Sequence, residues 1–305
     1  MTNWSSIYFL HKGANMKRNR TIYLFLIPGL LIYLIFYIYP TLSAFFYSFT
    51  NWDGITPNFN MVGFKNYTRI IDDIIFKKAL GNNLKFMLFV VIFQTLFSLL
   101  FSLFLVKNTK TNIFLRALYF FPTILSSVSV AFIWSFIYDP NLGLLNIILN
   151  KVGLENLTRS WIGEESIAIF SLAVAQVWFH TGQMLVIFVA GLQSIPKDLY
   201  EVAEVEGASK WQTFKSVTWP LLAPSITIVL AYTTIQTFKA FDLVFSLTRG
   251  GPNYSTEILS TYIYNVAFRN YNFGYASAIS IVFMIIVGIV TFIQFKALRS
   301  DKLDY

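Results

Sequence analysis

The 305-residue sequence contains no cysteine, which excludes a disulfide framework and thiolate metal ligation. Its two histidines, His11 and His180, lie far apart, too few for a histidine-based metal cluster. Charge is scarce: Asp, Glu, Lys and Arg make up 12% of residues, against about 25% in soluble domains. No G-x-x-x-x-G-K-[S/T] run occurs, so phosphate binding by a P-loop is excluded. Neither an H-E-x-x-H pair nor a recognisable Ser/His/Asp set is present. The chain is therefore expected to carry no cofactor, no metal and no catalytic site, and any energy source must reside in another subunit.

What is abundant is apolar surface. Hydrophobic residues are 56% of the chain, with 32 phenylalanines, and the mean hydropathy is +0.59. A chain this apolar cannot cover itself with polar side chains, so lipid must serve as part of its solvent. The net charge of +8 would suggest nucleic acid in a soluble protein. Here the basic residues cluster between apolar stretches, which favours membrane and excludes nucleic acid.

Runs of about 20 apolar residues can span a bilayer. Six are read, at 22–48, 84–106, 113–137, 167–191, 221–246 and 275–297, giving an all-α polytopic membrane protein. The first exceeds a signal-peptide core and has no small-residue cleavage site after it. Residues 1–21 form an N-terminal arm, in which Met16 is an alternative start, 22–297 the membrane domain and 298–305 a tail. Thirteen Lys and Arg fall in the arm, at 107–116, in the 192–220 loop and in the tail with the adjoining Lys296, against nine in the longer 49–83, 138–166 and 247–274 loops with the adjoining Lys85. The bias places both termini and the 192–220 loop in the cytoplasm of a cell or inner membrane. The 49–83 loop blurs it, with four basic residues and Lys85 just beyond, partly offset by Asp53, Asp72 and Asp73.

The 192–220 loop contains Glu201-Val-Ala-Glu-Val-Glu-Gly207 and ends in Val217-Thr-Trp-Pro220. Ala203 and Gly207, four apart, are read as one small face of a short helix, and Gly207 can also end or bend it. Pro220 is read as stopping the segment before the fifth span. This pattern resembles the E-A-A…G…I-x-L-P loop of ATP-driven, binding-protein-dependent importer permeases. Glu201, Ala203, Gly207 and Pro220 match, with Val202, Val217 and Trp219 as departures. The segments Met61–Tyr67, Arg116–Pro122, Asp139–Asn146, Ala190–Pro196, Leu247-Thr-Arg-Gly-Gly-Pro252 and Gly274–Ala278 resemble the carbohydrate branch, in the compact six-span form of the maltose-permease first subunit. The resemblance implies a type I importer permease that moves a sugar, in the first instance an oligosaccharide, by alternating access. It implies four kinds of partner: a second homologous permease, two ATP-binding subunits docked on the Glu201–Pro220 loop, an extracytoplasmic sugar-binding protein and membrane lipid.

Polar residues within spans are costly in lipid and usually face a cavity or a neighbouring helix. Gln176, His180 and Gln183 share one helical face, as do Thr233, Gln236 and Thr237; Thr123 and Ser127 follow Pro122 at helical spacing. Uncharged donors and acceptors suit a polyhydroxyl ligand, and the resemblance puts these eight at sugar-cavity positions. Hydrogen bonding between helices remains the alternative for each. Lys239 and Asp242, three apart, form either an ion pair or, through Lys239, a contact for an anionic solute such as a glycerol phosphate. An ion-coupled secondary transporter is the alternative from another class, and it leaves the Glu201–Pro220 loop unexplained.

Overall fold

The computed structural model describes residues 20–298. His11, Met16 and most of the expected arm, and the tail from 299, lie outside the described residues. Among these the chain is helical, with one isolated bridge between Thr50 and Met61. The first span begins with α1 (Arg20–Tyr33), passes a wide π turn at Leu34–Ile38 and continues as α2 (Tyr39–Tyr47). The turn precedes Pro40, which has no N–H to close the α-helical bond to the residue four back. No residue from Leu34 to Tyr47 is buried, and only the α2 end packs, against the last helix.

After α3 (Lys65–Asp72) comes α4 (Ile74–Leu105). It starts ten residues earlier than the hydropathy run, and its 32 residues reach about 48 Å, well beyond a ~30 Å hydrocarbon core. The expected third span, 113–137, is not one helix. It is α5 (Lys110–Ile124) and α6 (Ser127–Ile137), bent by 100°. Leu125 and Ser126 are extended, and the Ser126 hydroxyl accepts from Ser129 N–H at 3.1 Å, capping a new helix. Pro122, without an N–H, weakens the turn just before.

α7 (Leu144–Lys151) leads to α8 (Ala168–Ser194), then α9 (Lys197–Val205). α10 (Lys210–Thr213), a second π turn at Phe214–Thr218 and α11 (Trp219–Leu221) follow, and the chain bends by 63° into α12 (Ala223–Phe238). The expected fifth span, 221–246, is thus corrected: α12 stops at Phe238, and α13 (Phe241–Leu247) starts afresh after Lys239 and Ala240. α14 (Leu259–Tyr264), a π turn at Asn265–Arg269 and α15 (Phe273–Leu298) complete the described chain.

α8 is the central element. In its most apolar stretch 67% of residues are buried, against 33% for α4, 22% for α15 and none for the first span. It packs on α4, α5, α12, α6 and α13. Polar side chains fasten the bundle where the alternative is lipid: Ser98 donates to Thr181 C=O at 2.9 Å, and Gln94 to Thr233 Oγ1 at 3.3 Å. Asn82 donates to the carbonyls of Tyr254 and Glu257, and Asn83 accepts from Leu259 N–H, so the start of α4 organises the 250–259 segment.

Asp73 is the main tie at that end. It caps α4 through the N–H groups of Ile75 and Phe76 and accepts from the hydroxyls of Tyr262 and Tyr275. Partial burial pushes its carboxyl up, but these hydrogen bonds outweigh burial and hold it below the ordinary carboxylate range. Asp73→Ala removes a cap and leaves two tyrosine hydroxyls without their acceptor. The expected cost is about 2 kcal/mol, read as a lowered unfolding midpoint in detergent, with Asp73→Asn less affected.

Candidate functional site

The two broken spans meet α8 around a cavity of about 260 Å³. Irregular backbone at membrane depth is tolerated where it lines a cavity, and both the Leu125–Ser126 and Lys239–Ala240 breaks lie beside this one. Ser127, Gln176, His180 and Gln236 line it, with Lys239 and Asp242 and an apolar wall including Phe179, Tyr232, Ile235 and Leu243. Gln176 is buried, and Gln236 Oε1 is buried with no hydrogen-bond partner among the described residues. An unpaired amide oxygen in such a place is expensive unless a ligand or water donates to it.

The other expected residues lie elsewhere. Thr123 donates to Phe179 C=O at 3.0 Å, holding α5 on α8. The break at Leu125–Ser126 removes the helical relation assumed between Thr123 and Ser127. Thr233 and Thr237 are fully buried: Thr233 accepts from Gln94, and Thr237 donates to Thr234 C=O. Gln183 donates to the Tyr232 hydroxyl at 3.1 Å, beside the cavity wall. Lys239 and Asp242 do not pair: the salt bridges among the described residues are Lys78–Glu165 and Arg159–Glu164. Lys239 ends α12 and Asp242 begins α13, so the continuous helix needed for i,i+3 pairing is absent. Tyr232, an aromatic in the expected fifth span, does border the cavity, whereas Trp178 faces an apolar groove with Trp134 and Phe101.

A second constellation lies at the far end of α4. Gln193, in the last turn of α8, donates to Val106 C=O at 2.8 Å, so both helices end here, and α9 follows. Ala203 is the one buried residue of α9. Gly207 is not on the helix face but beyond its end, at φ +72°, where an L side chain is strained. Its N–H bonds Glu204 C=O at 3.0 Å, and Ala208 N–H bonds Ala203 C=O at 2.9 Å, the paired closure of a Schellman cap. Ser209 and Gln212 then cap α10 reciprocally. Pro220 follows the π turn within α11, and the bend comes after it, at Leu222. Glu201 is exposed, and around it Val202, Val205 and Trp211 show 54%, 89% and 70% of their surface. Such an apolar rim around a rigid turn is a surface suited to a protein partner.

Residues 83–302 match the family described as "Binding-protein-dependent transport system inner membrane component". The chain belongs to this family. The inner-membrane component is 36% identical over 272 residues to the multiple sugar-binding transport system permease protein MsmF of Streptococcus mutans, covering 89% of this chain and 93% of that one. It is 34% identical over 283 residues to the trehalose/maltose transport system permease protein MalF of Thermococcus litoralis, covering 92% and 94%. In fold it is similar to a chain of a bacterial transporter described as importing the acidic polysaccharide alginate, with TM-score 0.81, 22% identity and coverage of 94% and 98%. The type I importer permease fold and the multi-pass membrane location expected above therefore hold for this component.

Proposed function

We propose that this component forms half of the path of a sugar importer. An extracytoplasmic binding protein delivers an oligosaccharide, a second homologous permease supplies the other half of the path, and two separate ATP-binding subunits dock on the Glu201–Pro220 loop. In this reading the membrane domain spans 22–297, both termini and the loop face the cytoplasm, and the chain itself catalyses nothing. ATP binding closes the motor subunits, α9 moves with them, and the cavity turns from outward to inward access.

The observation that carries the reading is the uncharged hydrogen-bonding cluster of Gln176, His180, Gln236 and Ser127 beside the Tyr232 ring. Amides and hydroxyls match sugar hydroxyls in both donor and acceptor sense. Sugar-linked names among relatives above 30% identity support the same class. In vesicles holding the complete transporter, Gln236→Leu should lower sugar uptake about tenfold or more, since a pocket built for hydroxyls then lacks its acceptor. The affinity of the binding protein for its sugar should not change. Wild-type uptake by both Gln236→Leu and Gln176→Leu would defeat the assignment.

Lys239 supports a second reading. It lines the cavity and pairs with no carboxylate among the described residues, so an anionic solute would find a cation there. Uptake of glycerol phosphate that is lost in Lys239→Gln, with neutral oligosaccharide uptake absent throughout, would favour it. Uptake that survives ATP depletion but collapses with the ion gradient would defeat both.

A further inference from the structure

The helix that leads into α12 exposes aromatic rings that the bundle leaves uncovered. Lys210–Leu221, made of α10, the π turn and α11, bends by 63° from α12. It therefore turns toward the plane of the membrane that α12 enters. Its inner side is committed: Thr218 is buried and pairs with the Tyr200 hydroxyl at 3.2 Å, while Val217 and Leu221 pack on the core around Leu222. Its outer side carries Trp211, Lys215 and Trp219, spaced four apart, with the two indoles 70% and 48% exposed. Phe214 joins them. Its ring stacks on Trp211 at 5.6 Å and meets Trp219 at 6.1 Å. The π turn makes this possible, because Trp219 N–H closes on Phe214 C=O five residues back.

Charge divides the loop into two arms. α9 and its cap present Asp198, Glu201, Glu204 and Glu206, all exposed. From Gly207 to Phe241 there is no Asp or Glu. Lys210 and Lys215 are exposed beside the aromatic stripe and form no salt bridge among the described residues. A partner surface that suits the acidic arm is basic, and it repels these lysines. Indole and lysine side by side at the entry to an apolar span suit the headgroup layer instead. There the rings sit at the boundary between acyl chain and water, and the ammonium groups meet lipid phosphate. Left in water, the two indoles would form an uncovered apolar patch.

We infer that Lys210–Trp219 is an interfacial anchor seated among anionic phospholipid headgroups. Trp211, Phe214 and Trp219 lie at the acyl boundary, and Lys210 and Lys215 hold phosphate. Two observations favour lipid over the ATP-binding subunits as the cover: the stripe runs directly into a membrane span, and its charge is opposite to that of α9. Lipid contact needs only that α12 spans the membrane, whichever solute is carried. The consequence for transport rests on the coupling role given under Proposed function: a displaced α9 pivots against an anchored arm, so uptake depends on the lipid.

The test uses the complete transporter in nanodiscs of phosphatidylcholine with about 30% phosphatidylglycerol. An environment-sensitive fluorophore is placed on Ser216→Cys, since this chain has no cysteine of its own and Ser216 is exposed beside Lys215. Cysteines of the other subunits are replaced by serine. Phosphatidylcholine carrying a nitroxide on its headgroup should quench the label about twofold. Lys210→Gln combined with Lys215→Gln should cut that quenching about threefold, as should raising the salt. The same pair should remove the gain in uptake that phosphatidylglycerol gives over phosphatidylcholine alone. Quenching is read first with the stripe intact, so a variant that fails to fold does not spare the idea. No quenching there, or quenching untouched by both the lysine pair and salt, would overturn the anchor. So would Trp211→Ser with Trp219→Ser if it sheds the ATP-binding subunits in detergent, because the stripe then faces the motor. Quenching as expected, with no sugar uptake in any lipid, would leave the anchor standing and sink the importer reading instead.

Discussion

Gly182→Ala is expected to yield no stably folded permease. Gly182 lies mid-way along α8, and a Cβ there would overlap the Tyr119 carbonyl and crowd Phe120 N of α5. Backbone is what it meets, so no rotamer change relieves the clash and the two helices must separate. That separation would break the Thr123–Phe179 bond and disturb the α5–α8 seam beside the cavity. Overpacking against backbone costs at least about 3 kcal/mol, a large fraction of a typical domain's stability. The readout is the yield of monodisperse protein after detergent extraction and its unfolding midpoint. Gly288→Ala, in α15 with open space around it, is the control and should match the wild type. Equal yield and midpoint for both would show that the α5–α8 approach is looser than described.

The second large effect concerns transport without loss of fold. Gly207 has nothing within 4 Å of its would-be Cβ, yet holds φ +72°. Gly207→Val leaves the helix bundle untouched but puts a β-branched residue where even an ordinary side chain costs about 1–2 kcal/mol. The Schellman closure and the direction of α9 into α10 should be lost. Uptake and binding-protein-stimulated ATP hydrolysis by the assembled transporter are expected to fall more than tenfold, with the unfolding midpoint of the membrane domain nearly unchanged. Gly207→Ala should show a smaller loss. Val205→Arg tests the same surface with the turn intact, since 89% of Val205 is exposed. Full uptake in both Gly207→Val and Val205→Arg would remove the loop from the coupling route.

The sequence by itself determined the class of molecule, because span-length apolar runs and scarce charge act locally and need no knowledge of packing. It also marked the loop, since Glu201, Ala203, Gly207 and Pro220 stand in one short segment whose turn chemistry is legible in order. The site was legible only in part. Helical spacing grouped Gln176 with His180, and both line the cavity, but it grouped Thr233 and Thr237 with Gln236 although both are packed inside the bundle. Hydropathy is blind to the Leu125–Ser126 and Lys239–Ala240 breaks, because their surroundings remain apolar enough to read as continuous spans. The capping serine after Pro122 was the one available signal. Only the tertiary structure decided which polar residues line the cavity and why Lys239 and Asp242 stay apart. Those outcomes depend on contacts between segments far apart in the chain, where shape complementarity and the demand to pair every buried polar group, not local propensity, select the arrangement.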